Sequence, residues 1–198
     1  AAVSYTSYSQ SLGYEDLSTM FSRNDRNGSA RFVAMGGAFG AVGGDVTAMT
    51  INPAGISIFN DSNASIAFRS RSTDYLTTYY GNSTTTQQDF FKVSNAGVVF
   101  TFNNYTSDEW SKLAMGINYR VLADFEDTFI AKGTSGFASF DNFPLDNSEN
   151  PLVYDIADNQ QLSNFYNGDM SELSFAFSGV YEEKMHVGAG LNFYDLNF

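Results

Sequence analysis

The stretch Leu113-Ala-Met-Gly-Ile-Asn-Tyr-Arg-Val121 alternates between two kinds of side chain. Large apolar residues occupy the odd positions, and small or polar residues occupy the even ones. Successive side chains of a β-strand point to opposite faces of the sheet. The stretch therefore predicts a strand with one apolar face and one small or polar face.

The same alternation recurs near residues 64–69, 94–102, 173–181 and 185–193, so the sequence predicts five strands. The length of these stretches is close to the about 9 to 11 residues that a tilted transmembrane strand needs. We expect the apolar face to contact lipid, and the predicted lipid-facing residues are Leu113, Met115, Ile117, Phe175, Phe177, Val187 and Leu191.

The connections between these strands alternate in length. A polar stretch from Arg71 to Phe91 predicts a long loop, and Asn103 to Ser111 a shorter link. A long excursion follows from about Glu126 to Met170, and then a tight turn at Glu182-Glu183-Lys184. Alternating long loops and short turns are typical of outer-membrane β-barrels.

Composition excludes several function classes. The chain of 198 residues has 10 basic and 22 acidic residues and a net charge of −12, so nucleic acid is not a predicted partner. The absence of Cys excludes disulfides and thiolate metal sites, and the sequence contains one His. No nucleophile and base stand at a recognisable spacing, so the sequence predicts neither an enzyme nor a metal or cofactor site.

A soluble antiparallel sandwich is the alternative to a membrane barrel, because its strands also alternate. Aromatic residues make up 16% of the chain, and several, such as Trp110 and Tyr181, fall near predicted strand ends. Aromatic residues near the ends of transmembrane strands typically lie at the two membrane–water interfaces. Together with the loop asymmetry they favour a barrel.

Two pieces of the N-terminal region resemble a known family. Gly28-Ser-Ala-Arg-Phe-Val-Ala-Met-Gly-Gly-Ala-Phe-Gly-Ala-Val-Gly-Gly-Asp45, followed by Asn52-Pro-Ala-Gly55, resembles the FadL-type outer-membrane transporters. It is similar above all to the Bacteroidota branch described as OmpP-type or hemin-receptor-like. The resemblance implies an antiparallel barrel of about fourteen strands with an N-terminal hatch in its lumen. The chain would then be a fragment holding the hatch (1–59) and the first five strands (60–198).

The resemblance also implies a location and a function. The location is the bacterial outer membrane, with its lipids as partners, and the function is passive uptake of small hydrophobic, fatty acid-like or aromatic molecules. An accessory barrel subunit in an assembly or secretion complex, with other outer-membrane proteins as partners, is the alternative. The residues assigned to the hatch and its gating are Met35, Gly36, Gly37, Phe39, Asn52, Pro53, Ala54 and Gly55.

The residues themselves support a packed hatch over a free tail for residues 1 to about 59, because the apolar side chains between Phe32 and Ile56 are too many to leave in water. Farther upstream, Leu17, Met20 and Phe21 stand at helical spacing and predict a short helix. For Asn52-Pro-Ala-Gly55, gating and a simple turn into the first strand both remain open.

Two other features have two interpretations each. Asp124, Glu126 and Asp127 form either a Ca²⁺ site or a solvated acidic loop. His186 is either a haem ligand or an ordinary residue on the small, lumen-facing side of its strand.

Overall fold

The structure is a computed structural model, and it describes Ser18, Ser22 and residues 25–103, 109–137, 142–143, 152–153 and 156–197. Leu17, Met20 and Phe21, which predict a helix, lie outside the described residues. Helix α1 spans Ala30–Ala34, and two 3₁₀ helices span Thr47–Thr50 and Pro53–Ile58. The strands are β1 (Asn63–Tyr79), β2 (Asn82–Asn103), β3 (Trp110–Asp124), β4 (Asp127–Gly133), β5 (Asn142–Phe143), β6 (Leu152–Val153), β7 (Gln160–Tyr166), β8 (Asp169–Tyr181) and β9 (Met185–Asn197).

Five of these strands form one antiparallel sheet in the order β1-β2-β3-β8-β9, which we call the main sheet. Ile117 at its centre pairs with Val98 on one side and with Phe175 on the other. Strand β4 pairs with β7, and β5 pairs with β6, in two small sheets. The prediction of an antiparallel all-β fold is confirmed, and the five strands of the main sheet fall on the five predicted stretches.

The prediction of a loop from Arg71 to Phe91 is wrong, because β1 and β2 continue through it as one long hairpin. The hairpin turns at Tyr80 and Gly81, which have positive φ angles of 45° and 76°. Its Thr, Ser and Gln side chains alternate between the two faces of the ribbon. Threonine favours strands, but an all-polar alternation gives no contrast in hydropathy and so resembles a loop.

The long excursion after β3 contains strands as well. Its strand β4 lies against the part of the β1–β2 hairpin near the turn, residues 71–91, which we call the distal hairpin. Side chains of the hairpin bind its backbone, since Thr77 Oγ1 donates to the Ile130 carbonyl (2.6 Å) and Thr86 Oγ1 accepts from the Ile130 amide (3.1 Å). Asn82 Nδ2 donates to the Lys132 carbonyl (2.8 Å). These bonds satisfy backbone groups on the edge of β4 that does not pair with β7.

The short connection between β8 and β9 is the tight turn that the sequence predicts. The Lys184 amide donates to the Tyr181 carbonyl (3.1 Å), and Glu182 and Glu183 both have positive φ (48° and 54°). Two successive residues with positive φ define a type I′ hairpin turn, which matches the twist of the strands it joins.

The two faces of the main sheet have different surroundings. Residues 25–59 cover the face that carries the small and polar side chains, which we call the inner face. The core between them consists of Val46, Met49, Ile56, Val99, Ala114 and Ala176. Large apolar side chains stand exposed on the opposite, outer face. None of the helices in the described residues is long and apolar enough to cross a membrane.

Candidate functional site

Glycines on the inner face make room for the segment that covers it. A methyl group added at Gly116 would lie 2.6 Å from Met49 Cε, and one added at Gly97 would lie 2.6 Å from Val46 Cγ1. Carbon atoms in ordinary contact stay about 3.5 to 4.0 Å apart. Side chains of residues 25–59 therefore occupy the space that side chains at Gly97 and Gly116 would fill. We call this part of the inner face the glycine socket.

A chain of buried polar groups joins the segment to the centre of the socket. The Ser29 hydroxyl donates to Asp45 Oδ2 (2.5 Å), and the Ser29 amide donates to Thr47 Oγ1 (2.9 Å). The Thr47 hydroxyl donates to Asn95 Oδ1 (3.2 Å), and Asn95 Nδ2 donates to Asn118 Oδ1 (2.7 Å). All five residues are buried. Because an unpaired buried polar group is costly, this chain fixes the position of the segment on the sheet.

The residues Asn52-Pro-Ala-Gly55 lie at the start of the second 3₁₀ helix, with Pro53 at its first position. The Ala54 carbonyl accepts from the Ser178 hydroxyl on β8 (3.1 Å). A methyl group added at Gly188 on β9 would lie 2.6 Å from Ala54 Cα. The tetrapeptide thus contacts both β8 and β9.

The other residues assigned to the hatch, Met35, Gly36, Gly37 and Phe39, follow helix α1. Gly36 and Gly37 have positive φ (61° and 75°) and end the helix. They turn the chain so that the fully buried Phe39 ring stacks on Phe32, with 5.5 Å between the centroids. Met35 is exposed. The glycines therefore shape the segment, and Phe39 belongs to its core.

Three cations surround one aromatic ring farther along the inner face. The Phe90 ring is buried, and the charged groups of Arg69, Arg71 and Lys92 lie 5.5, 4.4 and 5.6 Å from its centroid. Such distances allow cation–π attraction to the face of the ring. We call these four residues the Phe90 cluster.

Carboxylates from elsewhere in the chain neutralise the Phe90 cluster. Arg69 Nη1 lies 2.7 Å from Asp25 Oδ2, and Lys92 Nζ lies 3.0 Å from Asp124 Oδ2 and forms a second ion pair with Glu126. Two of the three carboxylates considered for Ca²⁺ are thus ion-paired with a lysine. No group of three or more metal-ligating side chains occurs in the described part of the chain.

Another ion pair lies between β3 and β8, where Arg120 and Glu172 are register partners. Arg120 Nε donates to Glu172 Oε2 at 2.5 Å, and the Glu172 side chain is 1% exposed. The guanidinium also lies 5.8 Å from the Phe32 ring centroid. A charge buried this deeply requires its partner, so the pair holds β3, β8 and α1 together.

His186 lies on β9 and contacts the second 3₁₀ helix. Its Nδ1 is 2.6 Å from the Ser57 hydroxyl, which itself donates to the Ala54 carbonyl (2.8 Å). Since a hydroxyl has one proton, Ser57 accepts from Nδ1–H of the imidazole. His186 therefore ties the segment to β9, and this role needs no haem.

The predicted lipid-facing residues lie on the outer face. Leu113, Met115, Ile117, Phe177, Val187 and Leu191 are each between 43% and 62% exposed, while Phe175 is half-buried beside Phe193. Further large side chains of the main sheet lie on the same face, namely Ile66, Phe68, Phe91, Phe100, Phe102, Leu173 and Phe193. We call this exposed surface the apolar belt.

Sequence reasoning missed the polar chain and the Phe90 cluster. The alternation placed Asn95 and Asn118 on the inner face, and amides on a face made otherwise of small residues were the available signal. Arg69 was also on that face, but nothing in the sequence paired it with Asp25, 44 residues earlier.

The fold and the site define an antiparallel all-β chain whose N-terminal segment is packed on one face of an open five-stranded sheet. No protein-family model matches the chain, and no match was found among curated proteins or solved structures.

Proposed function

We propose that the main sheet is part of the wall of an outer-membrane β-barrel of the FadL type, which takes up small hydrophobic molecules passively. The observation that carries this proposal is the apolar belt. Soluble monomers rarely expose a large contiguous apolar surface, whereas transmembrane barrels place their apolar residues outward and their small and polar residues inward.

The covered inner face argues against a soluble sandwich. In a sandwich, the apolar faces of two sheets pack together and the polar faces contact water. Here the small and polar face carries the packed segment, including buried Phe39 and Ile56. A sandwich would cover the apolar belt with a second sheet and leave the inner face in water, whereas in a barrel lipid covers the belt and the inner face lines the lumen.

The two unpaired edges of the main sheet are consistent with a barrel wall that has further strands on both sides. No strand in the described ranges pairs with the outer edge of β1 or of β9. Strand β9 has 13 residues, contains no Pro, and pairs with β8 without a bulge. Proteins usually blunt or cover so long an edge, and further strands of a closed barrel would cover both.

Residues 25–59 are the hatch in this proposal. They fill the space next to the inner face, so a ligand in the lumen passes only when the segment shifts or when the ligand leaves through the wall. The buried polar chain through Thr47, Asn95 and Asn118 holds the hatch in its closed position.

The substitution Ile117→Arg tests the membrane assignment. Ile117 is 43% exposed at the centre of the apolar belt. Arginine near the bilayer midplane costs about 2 to 4 kcal/mol in transmembrane barrels. We expect I117R to reduce the heat-modifiable, membrane-extracted form on gels. The control is Thr85→Arg, an exposed residue of the distal hairpin beyond the belt, which we expect to assemble like the wild type.

If the protein is soluble, we expect I117R to fold as well as the wild type. An exposed isoleucine in water tolerates arginine with a change of about 0.5 kcal/mol or less. If I117R and T85R both fold like the wild type and stay in the soluble fraction, the membrane assignment is wrong.

A cross-link between hatch and wall tests transport. Asn192 Nδ2 on β9 donates to the Thr50 carbonyl (3.4 Å), and the chain has no native Cys. We expect a short bis-maleimide, each ring of which adds one cysteine thiol, to stop uptake of the hydrophobic dye N-phenyl-1-naphthylamine in the double variant T50C/N192C. Each single variant, treated identically, keeps its uptake. Equal uptake in the cross-linked and uncross-linked protein would refute a moving hatch.

A further inference from the structure

Two buried side chains beside the glycine socket each have a polar atom without a hydrogen-bond partner among the described residues. These atoms are Asn118 Nδ2 on β3 and Ser174 Oγ on β8. The two residues are 0% and 1% exposed, and they are register partners, so their side chains lie next to each other on the inner face. Two unused hydrogen-bond donors therefore stand together under residues 25–59.

The N-terminal segment covers these two donors but does not pair them. Its polar chain reaches Asn118 only through Asn95, which donates to Oδ1 and leaves Nδ2 unused. Native proteins bury few unpaired polar groups, and each one destabilises the state that buries it. When the segment lifts off, water reaches both donors. The unpaired donors therefore weaken the docked state alone.

An apolar hollow lies next to the two donors. Gly116 and Ala176 pair with each other in the next row of register partners on the inner face, about 7 Å from the donors. The Met49 side chain fills the space above Gly116. Val99 and Ala114 belong to the same apolar cluster. Because the Met49 side chain is an unbranched chain, an alkyl chain fits the space that it occupies.

The row on the other side of the donors contains Arg120 and Glu172. Their ion pair adds no net charge to the surroundings of the donors. A ligand is therefore recognised there by an oxygen that accepts hydrogen bonds from Asn118 and Ser174.

We propose that Asn118 Nδ2 and Ser174 Oγ bind the polar head group of the transported molecule, and that its alkyl chain replaces Met49 in the glycine socket. The ligand is an unbranched amphiphile with a hydrogen-bond-accepting oxygen at one end, such as a fatty acid. This inference rests on the proposed function, because the site opens only when the hatch shifts. The ligand and the hatch compete for one space, so binding of either releases the other.

The substitution Ser174→Ala tests whether the docked segment leaves this hydroxyl unpaired. We expect S174A to slow trypsin cleavage after Arg31 by about five-fold or more, because it removes an unpaired group that only the docked state buries. The matched control is Ser178→Ala on the same strand and face, whose hydroxyl donates to the Ala54 carbonyl (3.1 Å). S178A should speed cleavage by about two-fold or more. If S174A also speeds cleavage, the proposal is wrong.

Binding of cis-parinaric acid, a fluorescent unbranched fatty acid, tests the ligand site. The whole protein is titrated in lipid nanodiscs, and the signal of empty nanodiscs is subtracted. Met49→Ala and Gly116→Val both loosen the hatch, but M49A empties the glycine socket and G116V fills it. We expect M49A to bind the probe about five-fold more tightly than the wild type, because less of the protein is in the closed form. We expect G116V and S174A to bind it more weakly than the wild type.

The opposite outcomes overturn the ligand site. If M49A and G116V both bind the probe more tightly, a looser hatch uncovers a site elsewhere. An unchanged affinity in S174A, or no binding by the wild type and M49A above empty nanodiscs, would also refute the proposal. None of these results alters the membrane assignment, which the I117R and T85R variants decide separately.

Discussion

The substitution Gly116→Val is expected to expel Met49 from its socket. The first added carbon would lie 2.6 Å from Met49 Cε and 3.0 Å from its Sδ, about 1 Å closer than ordinary contact. The thioether is flexible, so a single methyl group in Gly116→Ala displaces only its end. Val99 Cγ2 lies 3.4 Å from that first carbon on the other side. The two further carbons of valine therefore leave no space for Met49.

The expected destabilisation follows from the buried apolar contacts that Met49 loses. Met49 is 1% exposed, and burying such a side chain contributes about 1.5 to 3 kcal/mol. Overpacking adds a cost of about 1 to 3 kcal/mol. We therefore expect G116V to destabilise docking of the segment by about 3 kcal/mol and G116A by about 1 kcal/mol. Protection of Arg31 from trypsin, measured against denaturant concentration, reports the docked fraction.

A double-mutant cycle makes this prediction refutable. Met49→Ala alone leaves a cavity and is expected to cost about 2 to 5 kcal/mol. In the double variant M49A/G116V the valine fills part of that cavity, so its cost should fall well below the sum of the two single costs. Strictly additive costs would show that the two side chains do not share this space, and the socket explanation would fail.

Three other predictions concern stability and are measured by denaturant unfolding. Asn95→Ala should cost about 1 to 3 kcal/mol, because it removes the acceptor of the buried Thr47 hydroxyl and the donor to Asn118 Oδ1; an unchanged midpoint would contradict the polar chain. Arg120→Met should cost about 3 to 5 kcal/mol by leaving Glu172 buried without a counter-charge, and R120M/E172L should recover most of it; a double variant no better than R120M would refute the explanation. Replacing Glu182 and Glu183 by Asn and Gly should stabilise the turn by about 1 kcal/mol, since Asn-Gly adopts positive φ more easily; a loss of stability would exclude the type I′ geometry.

The sequence predicts the main sheet well because its strands combine large and small residues in strict alternation. The register Val98↔Ile117↔Phe175 brings three outer-face residues together, as the alternation of each strand requires. The distal hairpin was missed for the opposite reason. Most residues around Thr77 and Thr86 are polar on both faces, so the contrast in hydropathy is weak and the backbone pairing reveals the strand.

The candidate site was harder to predict, because it depends on contacts between distant parts of the chain. Alternation marked Gly116 as an inner-face residue, but it did not show that Met49 fills the space above it. Of the Phe90 cluster only Arg69 lies on a predicted strand, because Arg71 and Phe90 fall in the stretch that the sequence predicts as a loop. The pairing of the cluster with Asp25 and Glu126 follows from the path of two connections, which local patterns do not encode.

The glycine socket also has a consequence for the order of folding. The second 3₁₀ helix of the segment contacts β9 through the bond between Ser57 and His186, which are 129 residues apart. Ribosomes release residues 25–59 before the strands that receive them, and the contacts of this 3₁₀ helix with β9 form only after β9 has paired with β8. Contacts at such separation slow folding and leave apolar surface exposed in the meantime. During that interval Ile56 lacks the strands that bury it, and the final docking step should be the slowest phase of refolding.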